Sequence, residues 1–350
     1  ARRVQSVVDA AVMAHGEEPR DLLDSLLTNL TSLQVLERRG VSITDGSSME
    51  RYEDYAKRKP KDNGVEGIPT GLSFFDAEYR LGWLPGELIG IVGRIFIGKT
   101  WLLLHFSLTA WLSGRRILLL SPEMPTEEAE SRYDALYLGR NGVTIDATDL
   151  YRGFVPTDAM KVLAKRAAER QDWITLDSVE GKPFSIGEIP RLIRQYKPDL
   201  LAIDGMPLIG GSSKGQIWEV VKEVSYGLKS LAVANKIAII ITTQASRGAA
   251  NPSRPPALHE IGYGDAFGQA CDRILALSRK GRDPKSMTVT IQKFRKGQPK
   301  HGGIHLFFDP SRGRIWEHDN RDDSAGTGST GDSGGDEHGG DGNDDLMSIP

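Results

Sequence analysis

An α/β fold, with a mostly parallel sheet extended by antiparallel strands at its C-terminal end, is the class this sequence predicts, and three observations predict it. Between Ile68 and Glu317 short β-branched runs alternate with helix-length segments. A Gly-x-x-x-x-Gly-Lys-Thr run, Gly93 to Thr100, stands directly between an apolar run and a helical segment. The last three β-type runs follow one another without helix-length gaps, so they pair antiparallel.

The elements follow in chain order. Residues 1–48 read as a small helical segment, with Leu22, Leu23, Leu26, Leu27, Leu30, Leu33 and Leu36 at helical spacing and Gly40 as a stop. Residues 49–66 hold a short charged helix, Met49 to Lys59, ended by Pro60, and a linker. The main domain spans 67–318. Its strands are expected at Leu88–Val92, Arg116–Leu120, Trp173–Asp177, Asp199–Asp204, Ile237–Thr243, Asp272–Ser278, Met287–Phe294 and Gly303–Asp309. Helices are expected at Lys99–Ser113, Thr126–Arg140, Thr157–Gln171, Ile186–Tyr196 and Ile217–Asn235. Residues 319–350, rich in Gly, Ser, Thr and Asp and almost free of apolar residues before Leu346, are too polar to offset chain entropy and read as a disordered acidic tail.

Composition narrows the function classes. The apolar runs are far shorter than the roughly 20 residues of a bilayer span, so no membrane partner is expected. One cysteine, Cys271, forbids an internal disulfide and a thiolate zinc site. The net charge of −3 conceals two opposite parts: residues 319–350 carry nine acids and one arginine, a net −8, which leaves +5 on the first 318 residues. A mildly basic body admits a polyanionic partner.

The Gly93–Thr100 run marks the phosphate site. Gly93 and Gly98 let the backbone wrap so that N–H groups face phosphate, Arg94 opens the loop, Lys99 reaches the β/γ oxygens and Thr100 holds a magnesium ion. Bulky Ile95, Phe96 and Ile97 stand where such loops favour small residues. A triphosphatase also needs a metal-supporting carboxylate and a group that prepares water. Asp204 ends an apolar strand, as the metal-supporting acid should. Glu123, in Ser121-Pro122-Glu123-Met124-Pro125, follows another strand and is the expected general base. Gln244 ends a third and could sense the γ-phosphate. All three belong on one edge of the sheet.

Taken in order, the motifs resemble the motor domain of DnaB-type replicative helicases, of the RecA-like class, over roughly residues 64 to 317. The resemblance rests on Gly67-Ile68-Pro69-Thr70-Gly71-Leu72, Phe75-Asp76, Leu84-Pro85-Gly86-Glu87-Leu88 and the phosphate loop. It continues through Ser121–Pro125, Ile203-Asp204, Thr243-Gln244-Ala245-Ser246-Arg247-Gly248, Gln269-Ala270-Cys271-Asp272 and Lys293-Phe294-Arg295-Lys296-Gly297. It implies a ring, usually hexameric, that binds ATP or another NTP with Mg2+, hydrolyses it at subunit interfaces, moves along single-stranded DNA and unwinds replication fork DNA in a bacterial or phage-infected cytoplasm. In the family the Lys-x-Arg pair acts in trans, so Lys293 and Arg295 would meet the neighbour's γ-phosphate as it develops charge. The family's larger N-terminal domain is absent or reduced to residues 1–48, and Met49–Lys59 stands where the family has an assembly helix. In a RecA-like arrangement the loops 205–216, with Lys214, and 246–264, with Arg247 and Arg254, face single-stranded DNA. The tail's close, Asp344-Asp345-Leu346-Met347-Ser348-Ile349-Pro350, suits docking to a replication protein or a merely solubilising role. A RecA-like recombinase or recombination mediator shares the phosphate loop, the metal acid and the strand-end glutamine. A nucleotide-switched loader is the reading that the bulky loop favours.

Overall fold

The structure, a computed structural model, describes Glu53 and residues 64–318 except 167–171, 179–182, 207–208, 212–215, 247–248, 250, 252, 262–264, 280–282 and 284. The expectations for residues 1–48, for Met49 to Lys59 and for the tail lie outside the described residues.

Strand β1 (Leu88–Gly93) is buried at every position, as the run Leu-Ile-Gly-Ile-Val-Gly requires of a strand covered on both faces. Along the chain follow α1 (Lys99–Leu112), β2 (Ile117–Ser121), α2 (Thr126–Arg140), the short α3 (Ala147–Tyr151), α4 (Thr157–Arg166) and β3 (Trp173–Asp177). Next come the two-residue β4 (Phe184–Ser185), α5 (Ile189–Tyr196), β5 (Leu200–Ile203), the two-residue β6 (Ile209–Gly210), α6 (Ile217–Asn235) and β7 (Ala238–Gln244). The chain closes with α7 (Asp265–Ala270), β8 (Arg273–Ser278), β9 (Ser286–Phe294), β10 (Ile304–Asp309) and β11 (Arg314–Glu317).

Nine strands form one sheet in the order β11-β10-β9-β8-β1-β7-β5-β2-β3, and β4 pairs with β6 apart from it. From β8 to β3 all neighbours are parallel, and β9, β10 and β11 extend the sheet antiparallel. The run Asp272–Ser278 is thus the last parallel strand rather than the first of the extension. The reason is that α7 returns the chain to the start of the sheet, so β8 lies parallel to β1. Five short elements escape a reading by periodicity: α3, β4, β6, α7 and β11. The expected helix at Ile186 begins at Ile189.

Two apolar cores sandwich the sheet. On one face α1 and α2 pack with the antiparallel strands and the aromatic lead-in Phe74, Phe75 and Trp83. On the other, α5, α6 and α7 cover Leu88, Val92, Ile203 and Ile241. The lead-in motif has a structural job. The Asp76 carboxylate accepts the backbone N–H groups of Thr70 (2.9 Å) and Gly71 (2.7 Å), and Ile68 and Trp83 exchange backbone hydrogen bonds at 3.0 and 2.7 Å.

Candidate active site

Parallel strands end where the next helix begins, so β1, β7, β5 and β2 bring their C-terminal loops to one edge. Gly93 lies opposite Gln244 in the β1–β7 register. The phosphate loop between β1 and α1 turns through Gly98 at φ +103°. A Cβ there would lie 2.5 Å from the Phe308 ring, so β10 supports the loop from behind and only glycine fits. A cavity of about 440 Å³ opens above it, lined among others by Lys99, Thr100, Glu123, Asp204, Thr242 and Gln244.

The charged groups converge in this cavity. The Thr100 hydroxyl donates to Asp204 Oδ2 at 2.7 Å, and the Thr242 hydroxyl to Asp204 Oδ1 at 2.9 Å. Burial raises the Asp204 carboxyl, and these two hydroxyls oppose the rise. Lys99 Nζ donates to the Arg94 carbonyl at 3.0 Å. Burial lowers the Lys99 ammonium below the usual lysine range, against the pull of Asp204 and Glu123. Glu123 leaves a turn that the Ser121 hydroxyl closes on the Met124 carbonyl at 2.9 Å, while the Asp177 carboxylate accepts the Thr126 N–H that starts α2. Burial first, and then the charge of Asp204, raise the Glu123 carboxyl. A carboxylate with heightened proton affinity is suited to take a proton from water. Gly205 at φ +110° lets Glu123 approach, since a Cβ there would stand 3.1 Å from Oε1.

The Arg94 guanidinium does not point into the cavity. It donates to the carbonyls of Ala245 (3.3 Å) and Ser246 (3.0 Å), tying the phosphate loop to the segment that follows Gln244. The donor set fits a magnesium–nucleotide: a threonine hydroxyl and a carboxylate oxygen in contact, beside an ammonium that donates to a backbone carbonyl.

Lys293 and Arg295 stand elsewhere. Phe294, between them, pairs with Arg273 at the start of β8, and Arg273 lies opposite Ile89 near the start of β1. From Ile89 to Gly93 the strand climbs on the order of 13 Å. The pair therefore sits at the other edge of the sheet from the phosphate loop of the same chain. Arg295 donates to Asp272 Oδ1 (2.9 Å) and to the Gln269 carbonyl (3.2 Å), and Lys293 to the carbonyls of Gly268 (2.8 Å) and Gln269 (3.2 Å). Asp272 also receives Lys229 at 2.6 Å and the Leu88 N–H at 2.9 Å.

The sequence profile of the DnaB-like helicase C terminal domain matches residues 67–316. The chain belongs to that family. As a DnaB-like helicase domain it is an ATP-dependent DNA helicase motor. It is 25% identical over 328 residues to the replicative DNA helicase DnaC of Bacillus subtilis (strain 168), covering 89% of this chain and 70% of that one. It is 27% identical over 276 residues to the replicative DNA helicase DnaB of Helicobacter pylori (strain ATCC 700392 / 26695), covering 73% of this chain and 55% of the relative. The chain thus spans between about half and 70% of the curated helicases named here. Among solved structures, the ATPase domain of G40P superposes with a TM-score of 0.68 at 20% identity, over 80% of this chain and all of that one. A DnaB-like replicative helicase, solved in a study of its interactions with primase, superposes with a TM-score of 0.69 at 20% identity, over 90% of this chain and 75% of that one.

For this DnaB-like domain, the residues proposed to face DNA divide. Lys214 and Arg247 lie outside the described residues. Arg254 is described, and its guanidinium pairs with both carboxylate oxygens of Glu260. That partner, with the Ala257 N–H, holds the Glu260 carboxyl at about 2. Arg254 therefore braces its own loop. Sequence reasoning missed Arg132 and Thr242. Arg132 lines the cavity, pairs with Glu128 one turn away and lies over the Trp101 ring at 5.3 Å. The Glu128/Arg132 spacing on a helix starting beside Glu123 was the available signal.

Proposed function

We propose that this domain drives a ring of identical copies along single-stranded DNA and separates duplex at a replication fork, in the cytoplasm of a bacterium or a phage-infected host. The observation that carries the proposal is that the two groups of candidate residues lie at opposite edges of one sheet. Lys99, Thr100, Glu123 and Asp204 share one edge, and Lys293 and Arg295 occupy the other. A copy cannot bring its own Arg295 to its own nucleotide, so the pair serves the next copy. A contact of unlike faces closes into a ring or winds into a filament. Exposed Tyr151, Phe154, Val155 and Met160 give the ring a further apolar surface to cover.

In the proposed cycle the loop N–H groups and Lys99 hold the β- and γ-phosphates. Thr100 and Asp204 would hold Mg2+, which would supply positive charge to offset the negative charge of the phosphates. Glu123 accepts a proton from water aimed in line at the γ-phosphate, and Arg295 of the next copy meets the charge that develops. Gln244 lines the same cavity and leads into Ala245 and Ser246, whose carbonyls Arg94 grips. Loss of the γ-phosphate at Gln244 is thereby transmitted to the 246–264 loop, the proposed DNA contact with Arg247, while Lys214 serves on the 205–216 loop. The acidic tail is the proposed docking segment for a replication partner.

Glu123→Gln tests the chemical core of this reading. Turnover stimulated by single-stranded DNA falls by roughly 10²–10⁴-fold, while nucleotide affinity, measured by fluorescent-analogue titration, is retained. Undiminished turnover in Glu123→Gln removes Glu123 from the role of base.

A further inference from the structure

Phe96 lies at the rim of the nucleotide cavity and has no role in the proposed hydrolytic cycle. It stands 94% exposed at the apex of the phosphate loop, with Ile95 beside it 55% exposed, while Ile97 is buried. Its backbone takes a φ of +60°, a left-handed conformation that bulky side chains seldom adopt. Glycine or asparagine would suit both the turn and the water. A solvent-facing ring held on an unfavourable backbone is poorly explained by an isolated chain, and such outliers gather at working sites that a further contact completes.

The further contact is a second copy of this chain, an inference that rests on the ring reading above. If Arg295 of a neighbouring copy reaches the γ-phosphate, the loop apex that overhangs the same cavity must meet whatever surrounds Arg295. Gly268 and Gln269 of α7 are there, since their carbonyls hold Lys293 and Arg295. So is Tyr226 of α6, a residue 42% exposed whose hydroxyl donates to Gln269 Oε1 at 3.2 Å. The geometry points to Phe96 of one copy packing on Tyr226 of the next. Aromatic pairs favour offset or edge-on packing and add specificity beyond the area they bury. The bulky phosphate loop then makes seating of the neighbour and closure of the nucleotide site a single event.

The test uses the full chain with ATP analogue and Mg2+. Sedimentation gives the protein concentration at which half the chains assemble. Tyr226→Ala and Phe96→Gly each raise it about tenfold, and the double variant raises it no further than either alone. For linkage, Phe96→Cys/Tyr226→Cys is oxidised in the assembled state. The native Cys271 is buried, and β1 separates the two positions within one copy by more than a disulfide can span. A ladder of cross-linked chains is expected, and it disappears when nucleotide is withheld. Normal assembly of both single variants, a multiplicative effect in the double variant, or assembled chains that give no ladder would overturn the contact while leaving the ring intact. Loss of nucleotide affinity by dilute Phe96→Gly with unchanged assembly would reassign Phe96 to the nucleotide. A wild-type chain that stays monomeric under all nucleotide conditions would overturn both the contact and the ring.

Discussion

His105 lies in the apolar run of α1, 5% exposed, with the Arg140 guanidinium against its ring and Thr109 one turn on. Burial, and then Arg140, push its pKa from the ordinary 6.5 down to about 3. Below pH 6.5 the unfolded chain takes up a proton that the folded chain refuses, so the stability contributed here is lost as pH falls from 6.5 towards 3. The loss is about 1.4 kcal/mol per pH unit, or about 2 kcal/mol by pH 5. Urea unfolding at pH 7.5 and pH 5 should show this difference for the wild type and a smaller one for His105→Gln. Equal pH dependence in the two proteins would show that His105 is not the group responsible. This residue was not legible in the sequence, because a lone histidine in an apolar helix carries no pattern. Lys99, Thr100, Glu123 and Asp204 were legible, because phosphate and metal chemistry demand those side chains at strand ends. Arg94 was half legible: its place in the loop was evident, whereas its grip on Ala245 and Ser246 depends on β7 lying beside β1.

At the scale of elements, β8 is anchored by a charge that the sequence does not advertise. Arg273 is fully buried, 2.8 Å from Glu87, and donates to the carbonyls of Leu81 (3.2 Å) and Gly82 (2.7 Å). The rings of Phe75, Trp83 and Phe294 surround it at 4.8 to 5.4 Å. The pair links the central sheet to the lead-in and to β9, the strand that carries Lys293 and leads into Arg295. Arg273→Ala leaves the buried Glu87 carboxylate with the Leu84 N–H (3.0 Å) and the more distant Lys296 (3.7 Å), and should cost about 3–5 kcal/mol, read as a lowered urea midpoint. Arg273→Ala with Glu87→Ala should cost less than the sum of the two single changes. Strict additivity would count against a direct pair. The strands were legible as elements because burial on both faces forces continuous apolar runs. The direction of β8 was not, since it depends on α7, six residues long with no periodicity to announce it. Strand β11 escaped for a related reason: four residues after the Gly313 turn look like the start of a tail.

The whole molecule separates the proposed base, Glu123, from the proposed finger, Arg295, and that separation can be tested by mixing. Glu123→Gln chains keep Arg295 and lack the base, whereas Arg295→Ala chains keep the base and lack the finger. Each alone should be nearly inactive. Mixed in equal amounts, about a quarter of contacts between unlike faces unite an intact base with an intact finger, and turnover should return. Failure of the mixture to exceed either parent would sink the trans assignment even if each variant folds. Charge operates at this scale as well, since a body of +5 and a tail of −8 share one chain. DNA affinity should therefore fall steeply with added salt.

In the proposed ring, the sheet that keeps Lys293 and Arg295 away from the phosphate loop also gives every copy a giving side and a receiving side. In an open row of such copies, the nucleotide at one end has no donor and the donor at the other end has no nucleotide. Each added copy moves that idle pair outward without removing it. Joining the two ends is the one arrangement in which every bound nucleotide is matched.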